Sequence, residues 1–267
     1  MKTLQKLALI IVAVVFSTAN LSAQSYNHPV KSAKRLVVKN LISDIKFEAY
    51  NGNEIQVQVT NFKAPPKRAD GLKELYGGGE DNTGIGLNIM EMDNSVYIVG
   101  ASKQTEDAKY VIKVPNSIAL DIDYSSPFAN ADNLEFENFE NEISVRSLQA
   151  GFIFKNVSGP ITASSINGNI VATFGKVNQN NPITLTAING NVDVSLPVNT
   201  PANLDLSTIH GSVYTDFDIT FDKKGSKSKD DEFHYIGGGA SSEGKINNGG
   251  VKIKLSSIND DIYLRKK

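Results

Sequence analysis

Gly239-Ala-Ser-Ser-Glu-Gly244-Lys245 has the glycine and lysine spacing of a phosphate-binding loop. Such a loop needs Ser or Thr directly after the lysine to reach magnesium, and a helix whose first amides cradle the phosphate. Here Ile246 follows, then Asn248-Gly249-Gly250 and another strand pattern, so the context is wrong for a nucleotide. A second chemistry could come from aspartates. Asp121, Asp123, Asp193, Asp205, Asp216 and Asp218 fall on predicted strands. Strand alternation places Asp121 with Asp123, and Asp216 with Asp218, on one outward face. Paired carboxylates are the machinery of glycoside hydrolysis, although outward charge on an exposed strand also serves solubility. A lyase using an arginine base would have only Arg35, Arg68, Arg146 and Arg265 to draw on. The histidines, His28, His210 and His234, show no ligand spacing, and there is no cysteine, so a zinc site has no local signature. No Gly-x-Ser-x-Gly elbow supports a serine hydrolase. The acids around Asp216, Asp218 and Asp222, and Asp260 with Asp261, read as a solvated face before they read as a calcium site. The sequence therefore names no catalytic residue, no metal ligand and no cofactor.

Aromatic residues suggest binding instead. Tyr214, Phe217, Phe221, Phe233 and Tyr235 cluster around a polar insertion. Tyr214, Asp216, Phe217, Asp218 and Tyr235 make the candidate binding surface; the competing reading packs these rings against the body of the protein.

The elements that position these residues come from a repeat. Phe139–Ser147, Leu148–Asn156, Val157–Ser165 and Ile166–Phe174 are four contiguous nine-residue modules, apolar or small at positions one, five and seven. Apolar residues at odd positions mean short strands with one buried face. Strands this short cannot bury that face alone, so the copies must stack. A longer unit, Ile161-x-Ala163-x-Ser165-Ile166-Asn167-Gly168-Asn169-Ile170, returns at Ile183–Val192, Leu204–Val213 and Ile253–Ile262, with steps of 22, 21 and 49 residues. In register, Asn167, Asn189, His210 and Asn259 occupy one turn column, followed by Gly168, Gly190 and Gly211. His210 then reads as a substituted asparagine, and Asn-Gly suits the turns because both residues tolerate positive φ. The expected architecture is an all-β, single-stranded parallel β-helix (a solenoid) with a capped N-terminal region.

Lys2 and Lys6, the apolar run Leu7–Phe16 and Ser22-Ala23-Gln24 form a secretory signal peptide over residues 1–23. The zero cysteines leave no lipobox and no disulfides, so stability must come from burial and stacked backbone hydrogen bonds. No later run is long enough to span a bilayer, so no stable membrane insertion is expected after signal cleavage. A net charge of −2 over 267 residues gives no basic footprint for nucleic acid.

Residues 24–267 read as one domain with insertions at 61–86 and 222–249. Leu36–Tyr50 and Glu54–Val59 read as a hairpin or as a first coil with its edge covered, and Arg68–Tyr76 as a short helix. Further strands are expected at 87–92, 95–100, 110–114 and 118–124. Arg265-Lys266-Lys267 on the final strand would serve as charged guards of an open sheet edge.

The chain resembles the exported "putative adhesin" domains of bacterial envelopes, with their repeated Gly-x-Ile coils. The resemblance runs from Ala64-Pro65-Pro66 and Asp81-Asn82-Thr83-Gly84-Ile85-Gly86-Leu87 through Asn138–Ile143 and the Ile-Asn-Gly-Asn turns. It continues through Tyr214–Ile219 and Gly244–Asn247 to Ile262-Tyr263-Leu264-Arg265-Lys266. It departs at Asn259-Asp260-Asp261, where glycine is usual. The resemblance implies right-handed coiling and carries over no catalytic residue. The expected function is a non-enzymatic, exported, envelope-associated binding module, whose partner would be a cell-surface glycan or an envelope protein. A carbohydrate-active β-helix enzyme and a structural or assembly component of the periplasm remain the alternatives.

Overall fold

The computed structural model describes residues 24–69, 71–72, 79–221, 234–236 and 239–267. The expected signal peptide at 1–23, most of the predicted helix and much of the second insertion lie outside the described residues. The chain is all-β. In order its strands are β1 (Gln24–Pro29), β2 (Arg35–Lys39), β3 (Asp44–Tyr50), β4 (Glu54–Thr60), β5 (Leu87–Met92), β6 (Ser95–Gly100), β7 (Lys109–Pro115) and β8 (Ala119–Tyr124). Then follow β9 (Asn133–Glu137), β10 (Ile143–Ser147), β11 (Gly151–Val157), β12 (Ile161–Asn167), β13 (Ile170–Phe174), β14 (Ile183–Asn189) and β15 (Val192–Leu196). The last are β16 (Ala202–Thr208), β17 (Val213–Thr215), β18 (Thr220–Phe221), β19 (His234–Ile236), β20 (Gly239–Ile246), β21 (Val251–Ser257) and β22 (Ile262–Lys266).

From β7 to β17 successive strands alternate between two sheets. One runs β1-β4-β7-β3-β9-β11-β13-β15-β22-β17, the other β18-β20-β16-β21-β14-β12-β10-β8-β2-β6-β5, with β19 on β20. Most neighbours are parallel, and neither described sheet closes into a barrel. The repeat explains this alternation. Ile143, Phe152, Ile161 and Ile170 stand nine residues apart, yet Ile143 pairs with Ile161 and Phe152 with Ile170. One module therefore supplies one strand to one sheet, and two modules are needed before the chain returns to the same sheet.

Inward side chains of both sheets merge into one apolar core. In the ten-stranded sheet, Phe47, Phe136 and Phe154 are in register on β3, β9 and β11. Their rings stack with centroids 5.2 and 4.9 Å apart. Phe139 and Phe152 meet Phe136 edge-on, each at 6.5 Å. Tyr124 is buried among these layers; its hydroxyl donates to the Ser43 carbonyl, and burial pushes it up to about 12.

Strand order departs from chain order at both ends. The β2/β3 pair lies between β6/β7 and β8/β9. The C-terminal β21/β22 pair lies between β14/β15 and β16/β17, with Ile253 opposite both Ile183 and Leu204 and Ile262 opposite both Val192 and Val213. Arg265 and Lys266 thus belong to an interior strand. The expected guarding of an open edge fails because β17 takes the outer place. The other ends of the two sheets carry antiparallel strands: β20 on β16, β5 on β6, and β4 then β1 on β7. The 36–59 region is not a hairpin, since β7 separates β3 from β4. Around residue 68 the described structure is a 3-10 turn, Lys67–Ala69.

The asparagine column forms. Asn167 donates to Gln149 at 3.3 Å, Asn189 to Asn167 at 2.7 Å, and Asn259 to Asn189. His210 follows Asn259 in space, its amide N–H on the Ile258 carbonyl at 2.9 Å. The expected reason for the glycines is corrected. Gly168, Gly190 and Gly211 are not in the left-handed region. They are needed because the neighbouring turn's backbone fills the place of a Cβ: Gly168 carbonyl against Gly190, Asp260 carbonyl against Gly211. The Asp260 turn, despite lacking glycine, stays in register, with the Asp261 amide donating to Asn191 at 3.1 Å.

Gly190→Ala should therefore lower stability by about 1–3 kcal/mol through overpacking. Asn189→Ala should cost about 1 kcal/mol through lost ladder bonds. Chemical denaturation midpoints read both, and an unchanged midpoint for Gly190→Ala would contradict the close approach.

Candidate functional site

Strand alternation on the ten-stranded sheet sets two outward rows across the strands. One runs Lys46, Glu135, Ile153, Val171, Asp193, Tyr263, Tyr214; the other Glu48, Glu137, Lys155, Thr173, Ser195, Arg265. Toward β3 and β9 the rows are ionic. Lys46 Nζ lies 2.8 Å from Glu48 and 3.0 Å from Glu137, and Lys155 lies 2.7 Å from Glu135 and 3.3 Å from Glu137. The hydrogen bond from Lys46, then that from Lys155, holds the Glu137 carboxyl below the usual glutamate range. In turn Glu48 and Glu137 raise Lys46, and Glu135 raises Lys155.

Toward β22 and β17 the rows become aromatic. Tyr214 and Tyr263 stack at 5.3 Å with planes 13° apart. Arg265 Cζ sits 5.0 Å from the Tyr263 centroid and holds Asp193 bidentately, at 2.9 and 3.0 Å. The Tyr263 hydroxyl donates to Asp261 at 3.0 Å, and that hydrogen bond is the main reason its pKa is raised. Tyr214 is half exposed (52%), in line with exposed Val171 two strands beyond Tyr263. The arrangement is a fixed aromatic platform: cation–π contact and a bidentate pair hold the inner ring, and the outer ring is open to a partner.

Of the sequence-predicted surface residues, Asp216, Phe217 and Asp218 gather at the end of β22. Asp216 Oδ1 accepts the Lys266 amide at 2.8 Å, taking over where β17 has stopped at Thr215. Asp216 and Asp218 consequently lie past the strand, not on it. Phe217 is buried, with Lys266 Nζ 5.5 Å from its ring centroid, while exposed Asp218 lies 3.6 Å from Lys266. Tyr235 is placed only by its backbone, opposite Ala240. Sequence reasoning named Asp193 only among the strand aspartates and Arg265 only as a possible base or edge guard, and it did not join either to Tyr263. The available signal was the repeat itself, which makes Tyr214 after Val213 equivalent to Tyr263 after Ile262.

Two open depressions lie at turns. Asn167 and Gly168 border one of about 530 Å³ with Asn130, Asn133, Gln149 and Asn169. The other, about 380 Å³, lies at the ends of β3, β7, β9 and β11. The strand aspartates face cations: Asp123 lies 2.6 Å from Arg146, which lowers its pKa, and Asp205 lies 2.9 Å from Lys252. Among the described residues no three His, Asp or Glu side chains converge as metal ligands, and no helix is long and apolar enough to cross a membrane.

No protein-family model and no curated protein matches the chain. Solved structures align with it at low similarity. A "putative cell adhesion protein" from Clostridium sporogenes shares 10% identity over 92% of this chain and 100% of its own, with a TM-score of 0.46. A "putative adhesin" from Bacteroides fragilis shares 11% over 92% and 97%, with a TM-score of 0.32. A "putative lipid binding protein" from Parabacteroides distasonis shares 8% over 93% and 98%, with a TM-score of 0.33. TM-scores below 0.5 do not establish a shared fold.

Because the folded-state pKa of Glu137 is depressed, its contribution to stability is complete above the ordinary value of 4.5 and is lost as pH falls through the folded value. Glu137→Gln should remove part of the acid-side fall in denaturation midpoint. An identical pH profile for the variant would contradict the network.

Proposed function

We propose that the chain is an exported, non-enzymatic protein of the cell envelope, adhesin-like, whose stacked strand pairs are the coils of a right-handed parallel β-helix. Residues 24–267 are its single mature domain, and its partner is a cell-surface glycan or an envelope protein. The observation that carries a binding role is the Tyr214–Tyr263 platform, held by Arg265 and Asp193 on the outward face of the ten-stranded sheet. Supporting it, glycosidases need a carboxyl pair facing across about 5–9.5 Å, one of them protonated. Here Asp123, Asp193 and Asp205 each pair with a cation, and Asp216 is spent on a backbone amide.

Fluorescently labelled mature protein should bind intact envelopes saturably. Tyr214→Ala with Tyr263→Ala should weaken that binding about tenfold, a loss of roughly 1.4 kcal/mol in keeping with an aromatic pair, with the fold unchanged by circular dichroism. Cleavage of any envelope or plant polysaccharide, abolished by Asp216→Asn or Asp218→Asn, would contradict the non-enzymatic reading. Confinement to the periplasm would contradict the external role.

A further inference from the structure

The smaller depression is built from the turns that follow successive strands of the ten-stranded sheet. Asn138 and Asn156 stand at the ends of β9 and β11 in the left-handed region, at φ 64° and 54°. This conformation, which asparagine tolerates better than most residues, takes both side chains out of the regular outward rows. Asn156 Nδ2 donates to Asn138 Oδ1 at 2.8 Å. The next position in the column is Gly175, where a Cβ would strike Asn156 Oδ1, so the amide ladder stops and leaves open space. Across the depression Asn116 Nδ2 donates to Asn51 at 2.8 Å. The Tyr50 hydroxyl is tied to the Glu54 carbonyl at 2.6 Å and its ring rests on Gly52, which fixes one wall. Lys176 and Glu140 pair at 2.9 Å on the rim.

Asn138 Nδ2, Asn156 Oδ1 and Asn116 Oδ1 are left with no side-chain hydrogen bond among the described residues. These exposed side chains offer one donor and two acceptors in a depression that Tyr50 also lines. Among the described residues the one lining cation, Lys176, is paired with Glu140, which leaves no surplus positive charge there for phosphate or sulfate. Its polar lining is unsuited to an acyl chain, and about 380 Å³ lies within the range of small-ligand sites, roughly 300–1,000 Å³. Vicinal hydroxyls that both donate and accept, on a ring with an apolar C–H face, meet all of these features.

We propose that this depression binds a neutral sugar residue of an oligosaccharide. The proposal rests on the binding reading above and supplies its ligand class at a second place on the molecule. The test titrates the mature chain with maltotriose, cellotriose and chitotriose, with a sulfated trisaccharide and phosphatidylglycerol vesicles as charged and lipid probes. At least one neutral trisaccharide should bind saturably. Asn138→Gly with Asn156→Gly keeps the left-handed backbone while deleting both amides, and should weaken that binding about tenfold. Asn116→Ala, outside the left-handed turns, should weaken it as well. The proposal is overturned if the glycine pair and Asn116→Ala, each folded, bind as the parent does, or if only the sulfated sugar or the vesicles bind. Binding of envelopes without any neutral trisaccharide overturns the pocket alone; binding of neither overturns the function with it.

Discussion

Parallel in-register pairing between successive strand pairs is the constraint on which everything else depends. Strands of five to seven residues, such as Ile143–Ser147 and Ile161–Asn167, cannot bury one face by themselves. Each becomes stable only when a neighbour continues its backbone ladder and its apolar row. Register then propagates outward from the core. Because Phe47, Phe136 and Phe154 align inside, Lys46 must align with Glu135 outside. Because Val192 aligns with Ile262 and Ile262 with Val213, Asp193, Tyr263 and Tyr214 are forced into one row. The aromatic platform is thus a consequence of stacking rather than a separate invention.

The same constraint explains the two faces of the turn residues. Stacked turns bring backbone against backbone, which restricts Gly168, Gly190 and Gly211 to no side chain. They also bring like amides together, so Gln149, Asn167, Asn189 and Asn259 satisfy one another in a ladder. At the opposite corner the ladder is only two asparagines long and ends at Gly175. The depression beside Asn138 and Asn156 is an amide pocket built at that break.

Much of this was legible in the residues. The module at 139–174 gave the strand positions, and the Ile-Asn-Gly-Asn recurrence gave the turn column with its His210 substitution. What local pattern does not encode is the order in which equivalent units stack. Ile183–Asn189, Ala202–Thr208 and Val251–Ser257 carry nearly the same inward residues, so any could neighbour any other. The long connection after β17 lets the C-terminal pair return to an interior place, and this hid the partnership of Tyr214 with Tyr263 and turned the supposed guard Arg265 into a platform residue. The amide pocket escaped for a related reason: Asn51, Asn116, Asn138 and Asn156 are scattered in sequence and meet only through the stack.

The interior place of the C-terminal pair is the point on which the platform stands, and cysteine pairing tests it directly in a chain with no native cysteine. Thr186 lies opposite Ser256, and Ser256 opposite Ser207, so Thr186 and Ser207 are two strands apart. Directly opposed residues fall within disulfide reach, whereas residues two strands apart, at about 9–10 Å, do not. Under mild oxidation Thr186→Cys with Ser256→Cys should close an intramolecular disulfide, and Thr186→Cys with Ser207→Cys should remain reduced. The reverse result would show that the strands stack in chain order, and would dissolve the Tyr214–Tyr263 platform with it.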